Sequence, residues 1–193
     1  MLCLRSTAQI LRPGGAGSRD STTVLARYPD SMPDDLPLTA TMPPETGSGA
    51  VESAHALVDS LAQLGVRDVV VCPGSRSAPL VYALDQVAKE RSVRTHVRLD
   101  ERAGAFTALG ISRATPDHPA AVITTSGTAT AHLLAAAMEA HHSGIGLILI
   151  TADRPAELRG THANQTTMQP GLFAPFARFE SDLPAPEGLI RSG

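Results

Sequence analysis

Four short segments carry side chains able to do chemistry, and each follows an apolar run. Pro73-Gly74-Ser75-Arg76-Ser77 offers backbone N–H groups, two hydroxyls and a guanidinium just ahead of a helical pattern, which suits a carboxylate or a phosphate. The same five residues also read as a plain strand-to-helix turn with a surface arginine. Ser126-Gly127-Thr128 suits an anion cradle or simply the cap of the helix it opens. Asp100-Glu101-Arg102 reads as a buried acid of raised pKa or as a solvated ion pair, the second being the plainer reading. The fourth segment is Ala152-Asp153-Arg154-Pro155. Adjacent His141 and His142 point apart, and His96 and His162 stand alone, so no metal site is expected within the chain. Cys72 has no His–Asp arrangement in view and reads as packing at a strand end. Phe173, Phe176 and Phe179 read as core.

Periodicity indicates what holds these segments. Val51, Ala54, Leu57, Val58, Leu61 and Leu64 recur at steps of three and four, with Gly65 as the stop, which predicts an amphipathic helix. Asp68–Cys72 reads as a strand buried on both faces, and a helix runs on from Ser75-Arg-Ser-Ala-Pro79 to about Glu90. Thr95–Leu99 is a second expected strand, Glu101–Ala114 a helix and Ala120–Thr125 a third strand. A helix from Thr128 to about His141 and a strand at Leu147–Thr151 follow. Short strands alternating with helices are the mark of βαβ units, so the expected fold class is α/β, a doubly wound parallel sheet with helices on both faces. Ligands of such sheets sit beyond the carboxyl ends of the strands, where all four segments fall.

Composition narrows the partners. The 193 residues carry a net charge of −3 and only 3% aromatic residues, with no Trp. Base stacking and a basic footprint for nucleic acid are therefore not expected, nor is a membrane span, the longest apolar run being strand-sized. Two cysteines, Cys3 and Cys72, form no disulfide framework, which fits a reducing cytoplasm. Residues 1–50 are rich in Pro, Gly, Ser and Thr and lack a period, so they are expected to be a disordered extension rather than a targeting peptide. A start at Met32 or Met42 is an alternative.

Taken in order, VCPGSRSAPLVYAL, HVRLDERAGAFTALG, TTSGTATAHLLAAAMEA, LILITADRPAELRG and ANQTTMQPGLF resemble the N-terminal pyrimidine-binding domain of the 2-succinyl-5-enolpyruvyl-6-hydroxy-3-cyclohexene-1-carboxylate synthases. This is a thiamine-diphosphate-dependent family of menaquinone biosynthesis. The resemblance covers residues 51–183, with Gly146 and His132 departing from the family's usual Pro and Asn. It implies a carboligase that decarboxylates 2-oxoglutarate and adds the succinyl carbanion equivalent to isochorismate. The resemblance assigns Glu101 the catalytic contact to N1′ of the cofactor's aminopyrimidine, where an acid promotes the imino tautomer whose nitrogen takes the C2 proton. It sets Ser126, Gly127, Thr128 and Gln165 along the cofactor, and Ser75, Arg76, Arg154 and Gln165 near the substrates.

The resemblance also implies thiamine diphosphate and magnesium or manganese as cofactors, the metal ligands being expected in a C-terminal domain that this chain lacks. It divides the chain into the extension at 1–50, the pyrimidine domain at 51–180 and, at 181–193, the start of a linker to a central domain. The complete cytoplasmic enzyme is expected to be a homo-oligomer, a dimer or tetramer, and this segment alone to be inactive. Two other readings stay open here: a stand-alone module binding an anionic metabolite, and another thiamine-dependent decarboxylase or carboligase such as an acetohydroxyacid synthase relative.

Overall fold

A computed structural model of the chain describes Arg5–Ile10 and residues 49–184. Helix α1 (Gly49–Gln63) buries Ala50, Ala54, Val58 and Leu61 along one stripe. Its end is set by Gly65, whose φ of 102° is a left-handed conformation that only glycine adopts freely, and the Val66 N–H then reaches the Leu61 carbonyl at 3.0 Å. Strand β2 (Asp68–Val71) is buried throughout. Helix α2 (Ala78–Arg91) carries Pro79 in its first turn, where its missing N–H costs nothing. Strand β3 (Arg94–Val97) is followed by helix α3 (Glu101–Ala114), capped by Asp100, whose carboxylate accepts the Ala103 N–H at 2.7 Å. Strand β4 (Ala121–Thr124), helices α4 (Thr128–Ala131) and α5 (Leu134–Ser143) and strand β5 (Ile148–Asp153) complete the alternating part.

The sheet runs β3-β2-β4-β5 in parallel. Strand β1 (Arg5–Ile10) then lies antiparallel between β5 and strand β6 (Phe179–Asp182). Alternate residues of the central strands face opposite ways, so two cores form. Helices α1 and α2 cover Val69, Val71, Ala121, Ile123, Ile148 and Ile150, while α3 and α5 cover Val70, Val122, Leu147 and Leu149. Each fully buried Leu, Ile or Val contributes roughly 1.5–3 kcal/mol. The α/β class and the doubly wound parallel sheet expected above are found.

The differences have local causes. The expected single helix from Thr128 to His141 is two, because the N–H groups of Thr130, His132 and Leu133 reach back three residues rather than four and tighten the turn between them. Strand β3 stops at Val97, leaving Leu99 84% exposed. Arg5–Ile10, expected to be disordered, instead form a strand, since six residues free of Pro and Gly can satisfy the open edge of β5. The remainder of the expected extension, and residues 185–193 of the expected linker, lie outside the described residues. Strand β6 takes in Ser181 and Asp182, where the linker was expected to begin. Of the three phenylalanines only Phe173 is core; Phe176 is half-buried and stacks edge-on with His141 and His142, and Phe179 is 55% exposed. Cys72 is fully buried.

Candidate functional site

From β2 the chain crosses to β3 on one side, then returns to β4 on the other, so the order of winding reverses between β2 and β4. The loops after those strands part at this point and leave a crevice at the carboxyl edge. They approach each other closely at its base. A Cβ on Gly74 would stand 2.4 Å from the Thr125 Cβ, so the position excludes any side chain. Ser75–Ser77 then make one tight turn, closed by the Ser77 hydroxyl donating to the Gly74 carbonyl at 3.0 Å.

A third segment, residues 160–171, closes over this crevice. Arg76 donates from Nη1 to Gln165 Oε1 at 2.6 Å, the Ser126 hydroxyl donates to the Gln165 carbonyl at 2.8 Å, and Arg154 Nη2 donates to the Asn164 carbonyl at 2.7 Å. Gln165 adopts a left-handed φ of 58°, a conformation costly for a residue with a Cβ and held by these bonds. The structure thus joins Ser75, Arg76, Ser126, Gly127, Arg154 and Gln165 in one cluster. Ser126 and Gly127 are buried, whereas Ser75, Thr128 and Gln165 are exposed and Arg76 and Arg154 half-buried. The Arg154 Nε is shielded from water with no acceptor among the described residues.

Glu101 stands apart from that cluster, on the first turn of α3 beyond β3, half-buried. Its carboxylate makes no hydrogen bond or ion pair among the described residues, so the surface pair with Arg102 suggested by the sequence does not form. The helix holding it is pressed onto the end of β2: a Cβ on Gly104 would meet Cys72 Sγ at 2.4 Å. Burial, then the negative charges of Glu101 and Asp100, push the Cys72 thiol up to about 11, which marks that carboxylate as a neighbour of the strand end.

Sequence reasoning missed three contributors. Gln169 is buried beneath the site and accepts the Gly127 N–H at 2.8 Å while donating to the Ala152 carbonyl at 3.0 Å. Asp153 is fully buried at the end of β5, and Arg159 pairs with it at 2.7 Å. An acidic residue beside Arg154, with an arginine six positions on, was the only signal for that pair. The turn holding Ser126 needs a glycine next, since Gly127 has φ 84° and ψ −140° and a Cβ there would stand 3.0 Å from Gln165 Cγ.

Two glycine-permitted close approaches, an acid without a hydrogen-bond or ion-pair partner among the described residues and two arginines thus lie at the same edge of the sheet. No group of three or more His, Cys, Asp or Glu able to hold a metal occurs among the described residues. Nor is any helix there long and apolar enough to cross a membrane. Comparison with known proteins gives the family. The family model described as thiamine pyrophosphate enzyme, N-terminal TPP binding domain, matches residues 51–172. Curated relatives named 2-succinyl-5-enolpyruvyl-6-hydroxy-3-cyclohexene-1-carboxylate synthase include one from Leifsonia xyli subsp. xyli, 54% identical over 83% of this chain and 26% of its own length. Another, from Renibacterium salmoninarum, is 51% identical over 77% of this chain and 27% of its own, and one from Thermobifida fusca is 52% identical over 69% and 24%. The chain spans about a quarter of the length of these relatives.

Proposed function

Because the chain belongs to the thiamine pyrophosphate enzymes, as their N-terminal TPP-binding domain, we propose that it supplies one wall of the active site of a synthase like those relatives. The reaction under this reading is a carboligation in which 2-oxoglutarate loses CO2 and its succinyl unit is added to isochorismate. The observation that carries it is the convergence of Arg76, Arg154, Gln165 and the Ser126-Gly127 turn at the switch point, with the unpaired Glu101 at the neighbouring strand end.

Thiamine diphosphate, when bound, supplies the electron sink for the decarboxylation. This chain's residues do the rest. Glu101 holds a proton toward N1′ of the aminopyrimidine, a role for which a carboxyl free of partners is suited. Ser126, Gly127 and Thr128 line the pyrimidine, and Gln165 borders both it and the substrates. Arg76 and Arg154 bind substrate carboxylates, the unpartnered Arg154 Nε calling for such an acceptor, with the Ser75 hydroxyl beside them. The working enzyme under this reading is a homo-oligomer, dimer or tetramer, of the cytoplasm, in which magnesium would accompany the cofactor's diphosphate. Under this reading residues 51–180 form the pyrimidine domain.

The test is Glu101→Gln in the full-length protein carrying this segment. The amide keeps shape and hydrogen bonding but lacks the acid proton, so hydrogen–deuterium exchange at the cofactor's C2 slows by about 100-fold or more, within the range of general acid–base contributions. Exchange at the wild-type rate would refute the role of Glu101 and with it this reading of the site.

A further inference from the structure

The end of β5 carries an arrangement that the proposed chemistry does not use directly. Asp153 is fully buried, and its two oxygens are divided: Oδ1 accepts the backbone N–H of Arg154 at 2.7 Å, and Oδ2 accepts from Arg159 Nη2 at 2.7 Å. Arg159 then forks onto Asp182 of β6, with Nη1 2.9 Å from Oδ2 and Nη2 3.0 Å from Oδ1. Strand β1 separates β5 from β6, its Arg5 opposite Asp153 and its Thr7 opposite Asp182, so the guanidinium spans the end of that strand. A buried carboxylate without a cation is costly. Arg159, its side chain only 13% exposed, supplies the compensation and fixes which way Asp153 points.

We propose that Arg159 is a positioning residue for Arg154, acting through Asp153: the clamp closes the loop from 153 to 159 and sets the angle at which the Arg154 guanidinium enters the crevice. The inference rests on the carboxylate-binding role of Arg154 given above. Among the described residues the Arg154 side chain is otherwise tethered by one bond, to the Asn164 carbonyl, so its direction is decided at the backbone. Losing the clamp turns the guanidinium without removing it, which weakens binding of the carboxylate it meets and spares the later chemistry.

The experiment uses the full-length protein carrying this segment and measures kcat, and KM for 2-oxoglutarate and for isochorismate, in Arg154→Ala, Arg159→Met, Arg159→Lys and Asp182→Asn. Arg159→Met raises KM for the same substrate as Arg154→Ala, by about tenfold, and changes kcat by no more than about threefold. Arg159→Lys keeps the compensating charge and therefore the fold, yet cannot span both carboxylates, so KM rises about threefold. Asp182→Asn loosens β6 and lowers the thermal midpoint, but leaves the Arg159–Asp153 pair and holds KM within about twofold of wild type. The inference falls if Arg159→Met and Arg159→Lys leave KM unchanged while Arg154→Ala raises it, or if Asp182→Asn raises KM as much as Arg159→Met does. If Arg154→Ala leaves both KM values unchanged, the carboxylate role of Arg154 falls first and the inference with it.

Discussion

Gln169 ties the site's segments together without taking part in the proposed chemistry. Its amide lies fully buried, accepts from Gly127 and donates to the Ala152 carbonyl and the Thr151 hydroxyl, so three segments meet at one group. Gln169→Leu matches its size but strands a buried N–H and a buried carbonyl. A loss of about 2–4 kcal/mol is expected, since each unsatisfied group costs about 1–3 kcal/mol. Chemical denaturation of the two proteins checks this, and a variant as stable as wild type would mean that water reaches the turn. Nothing local in the sequence singled out this residue, because a glutamine in a polar stretch carries no periodic signal.

At the scale of elements, the open edge of the parallel sheet is held by charge as well as by backbone. Asp68, at the start of β2, is 3% exposed and takes a two-pronged contact from Arg94 of β3, at 2.8 and 2.6 Å, and a third from His96 at 2.8 Å. The hydrogen bond from Arg94, aided by that from His96 and opposed by burial, holds the Asp68 carboxyl below its ordinary value of 3.8. A carboxyl depressed in the folded state stabilises fully above its unfolded pKa and loses that contribution as the pH falls through the folded one. Unfolding free energy measured from about pH 5 down to about pH 2 should therefore decline more steeply in the wild type than in Asp68→Asn. Parallel decline in both proteins would show that the pair contributes nothing. Helices α1 and α2 are tied similarly, through the buried Asp59 and the half-buried Arg91. The strand and helix order was legible because buried parallel strands read as continuous β-branched runs; the ion pairs were not, since Asp68 lies 26 residues from Arg94.

The described residues form a sheet covered on both faces along its parallel part, with the candidate site residues gathered at one edge. Under the proposed function that edge is one wall of a site whose diphosphate end is held elsewhere. The isolated chain should then bind thiamine diphosphate with Kd above about 100 μM even with magnesium, because most of the contacts that offset the cost of immobilising the cofactor are missing. Calorimetric titration decides it, and binding at 1 μM or tighter, in the range of a complete site, would contradict the division of the cofactor between segments. Tyr82, Leu99, Phe106 and Met168 are exposed large apolar residues on this single chain.

Sequence alone determined the alternation of strands and helices, the stop at Gly65 and the placement of PGSRS, DER, SGT and ADRP beyond strand ends. Each is a local property, set by side-chain period, by a glycine's freedom of φ or by the few residues of a turn. The family was legible too, from motifs taken in order. Only the tertiary structure decided that Gln165 closes onto Arg76, 89 positions away in the chain, that Glu101 stands without a partner among the described residues, and that Arg5–Ile10 form a strand beside β5. Such outcomes depend on which surfaces meet once the sheet has formed, and a polar side chain carries no mark in the sequence of the partner it will find.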